Sequence, residues 1–390
     1  MRNLTVEQSI ISLVRSALDN SVAEVPSDID WKNIFKIGIS QKLAPLIFRG
    51  VSNSGIELPS GLQEKLDKLL LNYFAIDSRQ QRAISEISKA FEASQIDYMP
   101  VKGILLKQLY PSTDSRPMGD GDILIRMEQK DKAIDVMRSL GYEFDKESAH
   151  EFVCVKPGIC IELHKCLIPP YNKDYYAYFG DGWQLAEKAS DTTLYRMCDD
   201  DHFIYMFTHF AKHYRDGGIS ALHIVDFWIY TQNKSLNFEY IRSELAKLEL
   251  ERFFDNIMNT MRVWFGVAES TEMTDFITAR IFDNGAWGTD ETKLKADSVK
   301  ASKSGKNASE KMTLNLVFPS AEKLQYRFPI LKKHKYLLPV MWVVRWFDVL
   351  LFKRYKIHDR MDEVKNVNEE FVSSYQKELD YVGLDFNFKE

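Results

Sequence analysis

Apolar residues near the start of the chain recur every three or four positions, which is the spacing of one face of an α-helix. The pattern predicts helices at residues 4–19 and 31–49. Residues 61–95 show the same periodicity and form either one long helix or a helix pair. Residues 1–95 are therefore predicted to be an N-terminal helical segment.

The pattern changes after residue 95, where short apolar runs of strand length alternate with helical spacing. Between two of these runs, Pro157-Gly158 has the composition of a hairpin turn. Strands mixed with helices in this order predict a core domain at residues 96–170 with a small mixed β-sheet. The strands are predicted at 98–101, 122–126, 151–156 and 159–163, and the helices at 104–110 and 129–140.

Helical spacing returns after residue 170 and predicts a helical domain at residues 171–288. Residues 289–311 are polar and rich in serine and lysine, which indicates a flexible linker or loop. Residues 312–390 form a C-terminal helical segment with aromatic and basic character. The predicted fold class is α+β with an α/β core, in which N-terminal and C-terminal helical segments flank the nucleus of strands.

Composition narrows the class of protein. The chain has 390 residues and a formal net charge of -5, which argues against binding of duplex nucleic acid, because such binding needs a basic face. Its four cysteines form no Cys-x-x-Cys pair and are expected to be reduced, buried thiols. The N-terminus lacks the apolar core of a secretory signal, so a cytoplasmic location is expected. The sequence does not fix the oligomeric state.

The most apolar run of the chain lies at residues 336–352. Pro339, Arg345 and Asp348 interrupt it, so it is not expected to span a membrane, which requires about 20 apolar residues. Lysine and arginine residues on both sides give the run a basic rim. This composition fits either a helix at an anionic membrane surface or a buried C-terminal helix.

Two acids stand at the start of a predicted strand, in the order Asp120-Gly121-Asp122. Side chains at positions i and i+2 of a strand point to the same side, so both carboxylates project together. Close carboxylates repel each other unless a cation neutralises them, and carboxylate oxygens suit Mg²⁺. An acidic pair alone is more often a solvated loop, so the interpretation depends on a further ligand.

Glu162 provides such a ligand, because it lies within the apolar predicted strand at residues 159–163. A glutamate in this context is expected to be half-buried, and a buried charge must be paired or metal-bound. If its strand pairs with the strand of Asp122, three carboxylates converge, as in two-metal centres. Asp120, Asp122 and Glu162 are therefore predicted to be catalytic and to hold two Mg²⁺ ions, with Mn²⁺ as the alternative.

Further residues are predicted to bind the nucleotide. Lys102-Gly103 stands at a strand-to-helix junction, where a helix N-terminus presents free N–H groups to phosphate. Arg116 either holds a triphosphate in bidentate fashion or forms a structural ion pair with the acidic cluster. His164 follows Glu162 by two positions and either contacts phosphate or a metal ligand, or is a structural histidine.

The order strand, Lys-Gly, helix, loop, Asp-x-Asp, strand, helix, hairpin, Glu resembles the polymerase-β-type nucleotidyltransferase superfamily. Residues 99–164 resemble more closely a bacterial branch described as uncharacterised nucleotidyltransferase. They share its Lys-Gly turn, its Tyr-Pro pair, its arginine before Asp-x-Asp and its glutamate within Glu-Leu-His. Residues 209–226 and 318–329 are also similar to this branch.

The resemblance implies that Asp120, Asp122 and Glu162 are the three metal ligands and that an NTP is the substrate. Lys102-Gly103 stands where the superfamily usually has Gly-Ser. The serine is a phosphate contact in the wider superfamily. Lys102 or backbone amides would have to replace that contact here.

A second wall of the site is predicted from the helical domain. His209 and His213 are four residues apart and share one helical face, which either contacts substrate or packs, while zinc lacks a third ligand. Asp226 on the next helix is a candidate general base for the acceptor, or a helix-packing ion pair. Asp216 or Asp201 would be substitutes for that role.

The predicted reaction is transfer of a nucleoside monophosphate from an NTP, with ATP favoured, to an unidentified acceptor with release of pyrophosphate. The acceptor is a sugar, a small metabolite, a lipid-linked glycan or a protein side chain. One alternative is a catalytically inactive nucleotide-binding or interaction protein that keeps the fold, which the presence of three acids disfavours. Another is a phosphotransferase of the aminoglycoside-kinase type, which the missing HxDxxxxN loop disfavours.

Overall fold

The computed structural model describes residues 4–285, 288–302, 308–325, 327–352, 364 and 367–385. These residues form two compact units. The first unit contains residues 4–212 and 219–285, and the second contains His213–Gly218 together with the described part of the chain after Trp287. The domain boundaries predicted at residues 95 and 170 lie inside the first unit and stay predictions.

Four helices form the N-terminal segment, and the first begins at a capping box between Thr5 and Gln8. The stretch at residues 61–95 is one helix of 34 residues rather than a pair. The helices are α1 (Val6–Asp19), α2 (Trp31–Ser40), α3 (Ala44–Asn53) and α4 (Ser60–Ala93).

The single helix predicted at residues 31–49 is broken between α2 and α3. Lys42 adopts a φ of 59°, which ends α2, and the N–H group of Leu43 donates to the Gly38 carbonyl oxygen at 2.7 Å. This is a helix C-terminal motif that usually places glycine at the left-handed position. Pro45 then lies in the first turn of α3, where proline is favoured.

A five-stranded mixed sheet follows, in the order β1-β2-β5-β4-β3. Strands β2 and β5 are parallel, and the other neighbours are antiparallel. The α+β fold class is thereby confirmed. The strands are β1 (Tyr98–Pro100), β2 (Gly121–Ile125), β3 (Glu143–Glu147), β4 (Glu151–Lys156) and β5 (Ile159–His164).

The sequence predicted the hairpin of this sheet but not its edge strand. The hairpin of β4 and β5 is confirmed, with Gly158 at a φ of 74° in its turn. Strand β3 was not predicted, because its sequence Glu-Phe-Asp-Lys-Glu lacks an apolar face and the strand lies exposed at the edge of the sheet. An edge strand needs no buried face on both sides and can therefore be polar.

The core of this region lies between the sheet and two helices, α4 and α6 (Lys130–Ser139). Phe91 of α4 and Met137 of α6 pack with Ile123 of β2 and Leu163 of β5 in one buried cluster. Each such side chain contributes about 1.5–3 kcal/mol by leaving water. The short helix α5 (Gly103–Leu106) follows β1 and leads into the loop before β2.

The chain after residue 170 is helical, apart from the two-stranded ribbon of β6 (Glu187–Lys188) and β7 (Tyr195–Arg196). Phe207 of α8 contacts Phe227 of α9 and both Phe253 and Phe254 of α11, so an aromatic cluster holds these helices together. The helices are α7 (Lys173–Phe179), α8 (Asp199–Arg215), α9 (Leu222–Asn233), α10 (Phe238–Lys247), α11 (Glu251–Trp264) and α12 (Glu272–Asn284).

Residues 289–311 were predicted to be a flexible linker or loop. Where the structure describes them, they are largely helical. Helix α13 (Asp290–Ser302) covers most of it, and α14 (Ala308–Val317) begins within it. Leu294 and Val299 of α13 are buried together with small residues, so the helix packs by close approach despite its polar composition. Residues 303–307 lie outside the described residues.

The second unit also contains α15 (Ala321–Leu324), α16 (Leu338–Phe352) and α17 (Glu369–Val382). Helix α16 covers most of the apolar run. Within the described ranges, every helix is too short or too polar to cross a lipid bilayer.

The contact between α1 and α3 depends on a glycine, and we expect its replacement to destabilise the fold. A Cβ atom at Gly50 would overlap the Leu13 carbonyl oxygen of α1, which is backbone and has little room to move. Gly50→Ala should therefore lower the free energy of unfolding by about 1–3 kcal/mol, measured by urea denaturation.

Gly61→Ala is the matched control. Gly61 lies in the first turn of α4 and has no atom within 4 Å of its Cβ position. This change should raise the free energy of unfolding by about 0.4–1 kcal/mol. Equal effects of the two substitutions would contradict the close packing of α1 on α3.

Candidate active site

The pairing of β2 with β5 brings two predicted ligands together. Asp122 lies directly opposite Glu162, and Leu124 lies opposite His164. Side chains at alternate positions share one face of a sheet, so His164 lies on the same face as Glu162. One ligand atom from each of Asp122, Glu162 and His164 lies within 4.8 Å of the other two. The sheet therefore presents a compact group of two acids and an imidazole.

Asp122 is the most strongly paired acid of this group. Its Oδ1 atom accepts a hydrogen bond from Lys102 Nζ at 2.8 Å and another from His164 Nε2 at 2.8 Å. Burial alone would raise the pKa of Asp122, but Lys102 and His164 hold it well below its usual range. Asp122 is therefore ionised, and one of its oxygens is already in use.

Asp120 differs from Asp122 in having no hydrogen-bond or ion-pair partner within the part of the chain that the structure describes. It is half-buried and stands immediately before β2. Burial raises its pKa, and the charges of Asp122 and Glu162 raise it further. Lys102 and Lys42 oppose this shift only in part, so the ionised form of Asp120 is disfavoured in the fold, a condition that a bound cation would relieve.

Lys102 reaches Asp122 from a strained backbone position. Its φ is 51° and its ψ is -122°, a conformation that costs a residue other than glycine about 1–3 kcal/mol. Burial would lower its pKa, but the charge of Asp122 raises it, so the ammonium group is retained. Helix α5 has only four residues, so its N-terminus offers a weaker field than the sequence suggested, and the positive charge comes from the side chain.

Arg116 pairs with Asp226 rather than pointing toward the three acids. Its Nε and Nη2 atoms donate to both oxygens of Asp226 at 2.7 and 2.8 Å, and the Tyr110 hydroxyl donates to Asp226 at 2.7 Å. Both partners are buried. This geometry favours the structural interpretation of each residue over triphosphate binding by Arg116 and general-base chemistry by Asp226, because the bidentate edge of the guanidinium group is already used.

The Arg116 pair nevertheless borders the site. A Cβ atom on Gly103 would lie 3.1 Å from Arg116 Nη1 and 2.9 Å from the Met118 sulfur atom. The absence of a side chain at Gly103 therefore lets the Arg116 loop approach the turn that carries Lys102. Arg116 therefore packs against the Lys102-Gly103 turn.

Lys42 is a site neighbour that the sequence did not reveal. Burial lowers its pKa, and the charges of Asp120, Asp226 and Asp122 oppose that effect, so Lys42 lies within electrostatic range of these acids. The residue before it, Gln41, fixes the turn by donating to the carbonyl oxygens of Ile281 and Phe282 at 2.9 and 3.0 Å. The only residue in the sequence that indicated a turn at Lys42 was Pro45, because proline favours the start of a new helix over the interior of a continuous one.

Helix α8, which was predicted to form a second wall of the site, has one residue near Lys102. Tyr205 of α8 is buried, and burial raises the pKa of its hydroxyl group. The charge of Lys102 opposes this increase, which shows that Tyr205 lies near that lysine. The ring of His209 lies 6.1 Å from the Tyr205 ring, one helical turn along α8. His213 belongs to the second compact unit, and its role stays a prediction.

The substitutes for Asp226 have structural partners. Asp216 accepts a hydrogen bond from Lys300 at 2.6 Å, and Asp201 accepts one from the Tyr240 hydroxyl at 2.8 Å. Among the described residues, no group of three metal-ligating side chains includes His209 or His213. A zinc site on that helix therefore lacks a third ligand here.

The mixed sheet carries Asp120-Gly121-Asp122 at the start of β2 and Glu162 on the parallel strand β5, as the resemblance to nucleotidyltransferases implied. The chain belongs to the uncharacterised nucleotidyltransferase family, whose family model matches residues 27–266, more than half of the chain. The resemblance drawn from residues 99–164 is thereby confirmed. No protein of curated function and no solved structure matches the chain.

Asparagine at the two acids should change stability in opposite directions. Asp120 has a raised pKa in the fold and so destabilises it at pH values where the carboxylate is ionised, and Asp120→Asn should raise the free energy of unfolding at pH 7 without divalent cations. Asp122 has a lowered pKa in the fold. Its ionised carboxylate therefore stabilises the folded state fully at pH values above the ordinary aspartate pKa. Asp122→Asn removes the shared acceptor of Lys102 and His164, which should cost about 3–5 kcal/mol.

Chemical denaturation in EDTA at pH 7 measures both effects. Asp145→Asn, at an exposed position of the edge strand β3, is the control and should change stability by less than about 0.5 kcal/mol. A fall in stability for Asp120→Asn as large as that for Asp122→Asn would show that Asp120 has a partner and would refute its unmet charge.

Proposed function

We propose that this chain transfers a nucleoside monophosphate from an NTP, with ATP the favoured donor, to a hydroxyl or phosphate group of an acceptor, and that it releases pyrophosphate. The family places the chain among nucleotidyltransferases. The observation that carries the mechanism is the compact group of Asp122, Glu162 and His164, with Asp120 immediately before the same strand.

The residues fit a divalent cation. Asp122 and Glu162 provide carboxylate oxygens, which suit Mg²⁺, and the imidazole of His164 belongs to the same compact group, which also suits Mn²⁺. Asp120 stands two residues before Asp122 and is proposed as the third carboxylate ligand. We propose two Mg²⁺ ions, with Mn²⁺ as the alternative. When bound, they would supply charge stabilisation to the transferred phosphoryl group and orient it for in-line attack.

Lys102 is proposed to exchange partners during nucleotide binding. Its ammonium group neutralises Asp122 in the structure, and phosphate oxygens offer it an alternative acceptor of the same charge. His164 would keep Asp122 oriented while Lys102 moves, because it holds the same Oδ1 atom.

Lys42 is proposed to bind the phosphate tail of the nucleotide. It carries a charge toward Asp120 and Asp122 from the break between α2 and α3. That break is fixed to the rest of the first unit through Gln41, whose Oε1 atom also accepts from the Ala221 N–H group at 2.8 Å. A lysine on a fixed turn retains less freedom than one on a mobile loop, which favours phosphate binding.

The acceptor is proposed to bind against α8. Tyr205 lies near Lys102 and His209 lies one turn farther along the helix, so this part of α8 borders the acids. A wall on this side would hold the acceptor in line with the α-phosphate. The acceptor remains a sugar, a small metabolite, a lipid-linked glycan or a protein side chain.

Loss of the acids should abolish turnover. Asp120→Asn, Asp122→Asn and Glu162→Gln should each lower transfer of label from [α-³²P]ATP by roughly 10³-fold, because each removes a ligand of the charge-stabilising ions. The measurement is labelled product together with pyrophosphate, with extracted metabolite pools as the acceptor source. Asp145→Asn should retain full activity.

Two outcomes would refute the proposal. Label transfer that survives in all three acid variants would remove the metal centre from the mechanism. Label that moves only from [γ-³²P]ATP, with ADP as the second product, would instead show a phosphotransferase.

The substitution Lys42→Gly tests whether Lys42 binds the nucleotide. Because its φ is 59°, Lys42→Gly removes the charge while relieving the backbone, so the loss of stability should be small. The Kd for MgATP should nevertheless rise by roughly 10–100-fold, the loss expected for a hydrogen bond to a charged group. Equilibrium binding and melting temperature are measured on the same samples.

Asn20→Gly is the matched control, since Asn20 also ends a helix at a φ of 59° and lies on α1's C-terminal cap. It should leave the Kd for MgATP unchanged. Unchanged affinity in Lys42→Gly would show that the lysine serves the fold or another ligand.

A further inference from the structure

One side of α16 is apolar and exposed, and Tyr336 just before the helix extends this surface. Tyr336, Val340, Val343, Val344 and Phe347 are between 44% and 74% exposed. Their spacing of three and four residues places them along one face of the helix. We call this surface the 336–347 face.

The opposite side of α16 is packed, which fixes how the helix is turned. Trp342 Nε1 donates to the Pro319 carbonyl oxygen and Trp346 Nε1 donates to the Val317 carbonyl oxygen, both at 2.8 Å. The Phe318 ring lies 5.1 Å from each tryptophan ring. The 336–347 face therefore points away from the segment that anchors the helix.

The charged residues of the segment that carries this face are basic up to Phe347, and the first acid after them is Asp348. Residues 327–347 contain no aspartate or glutamate, although the whole chain has a net charge of -5. Lys333 and Lys335 are exposed at the beginning of the face. The basic residues of the segment are Arg327, Lys332, Lys333, Lys335 and Arg345.

We propose that the 336–347 face docks on the surface of a bilayer that contains anionic lipids, with α16 lying in the interfacial plane. An apolar stripe enters the acyl boundary, while lysines meet lipid phosphates and aromatic side chains lie at the headgroup level. Residues 327–347 of a second copy would offer the lysines no acidic partner, since this segment contains only basic charges. The charge pattern therefore favours an anionic lipid surface over self-association.

Vesicle flotation with the full-length chain tests this proposal. The protein should float with vesicles of phosphatidylcholine and phosphatidylglycerol, and much less with phosphatidylcholine alone or at 0.5 M salt, because surface charge attracts basic residues within about a Debye length. Val343→Ser/Phe347→Ser should weaken binding by roughly tenfold or more. Lys333→Glu/Lys335→Glu should remove the preference for anionic vesicles.

Leu71→Ser/Phe74→Ser is the matched control. These residues are also exposed apolar side chains on a helix, at 68% and 58%, but they belong to α4 in the other unit. This variant should float like the unmodified chain. Because all four residues are exposed, both double variants should keep their melting temperature, which is measured in parallel.

Two results would overturn the proposal. The first is failure of the unmodified chain to float with either vesicle. The second is a dimer in light scattering that Val343→Ser/Phe347→Ser dissociates while vesicle binding stays unchanged, which would make the face a contact between two copies of the chain.

Discussion

The parallel hydrogen-bonding register between β2 and β5 decides which side chains meet at the centre of this protein. It places Asp122 opposite Glu162 and brings His164 to the same face. A shift of one residue would turn every side chain of a strand to the other face and would separate the acids. The register is supported on the far side by β1, whose Met99 pairs with Leu124, so Lys102 emerges directly beside Asp122. The positions of Asp122, Glu162 and His164 follow from this one pairing.

Buried charges are costly, and the protein compensates most of them in pairs. Lys102 and His164 compensate Asp122, and Arg116 with Tyr110 compensates Asp226. The second group ties the loop before β2 to α9, so the sheet and the helices after residue 170 share one set of contacts. Asp120 is left outside these pairs. The same physical rule therefore explains both the rigid border of the site and the charge that remains to be neutralised.

Much of this arrangement could be predicted from the sequence, because local patterns determine it. Apolar runs identified β2, β4 and β5, and the spacing of acids on them identified Asp122 and Glu162 as neighbours. Other features depend on tertiary contacts that have no local pattern. The partner of Arg116 lies 110 residues away, and the polar α13 is held by buried small residues. Lys42 was hidden because helical spacing continues across a turn that only its backbone conformation reveals.

The ammonium group of Lys102 has a consequence for the order in which ligands enter. Resting on Asp122, it acts as an internal counter-ion, and a free divalent cation would have to compete with it. A nucleotide offers the lysine phosphate oxygens instead, so nucleotide and cation should bind with positive cooperativity. The protein would then load them as one complex and remain largely idle toward metal alone. Such coupling would keep Asp122 paired with Lys102, and so weaken the binding of divalent cations, until the nucleotide is present.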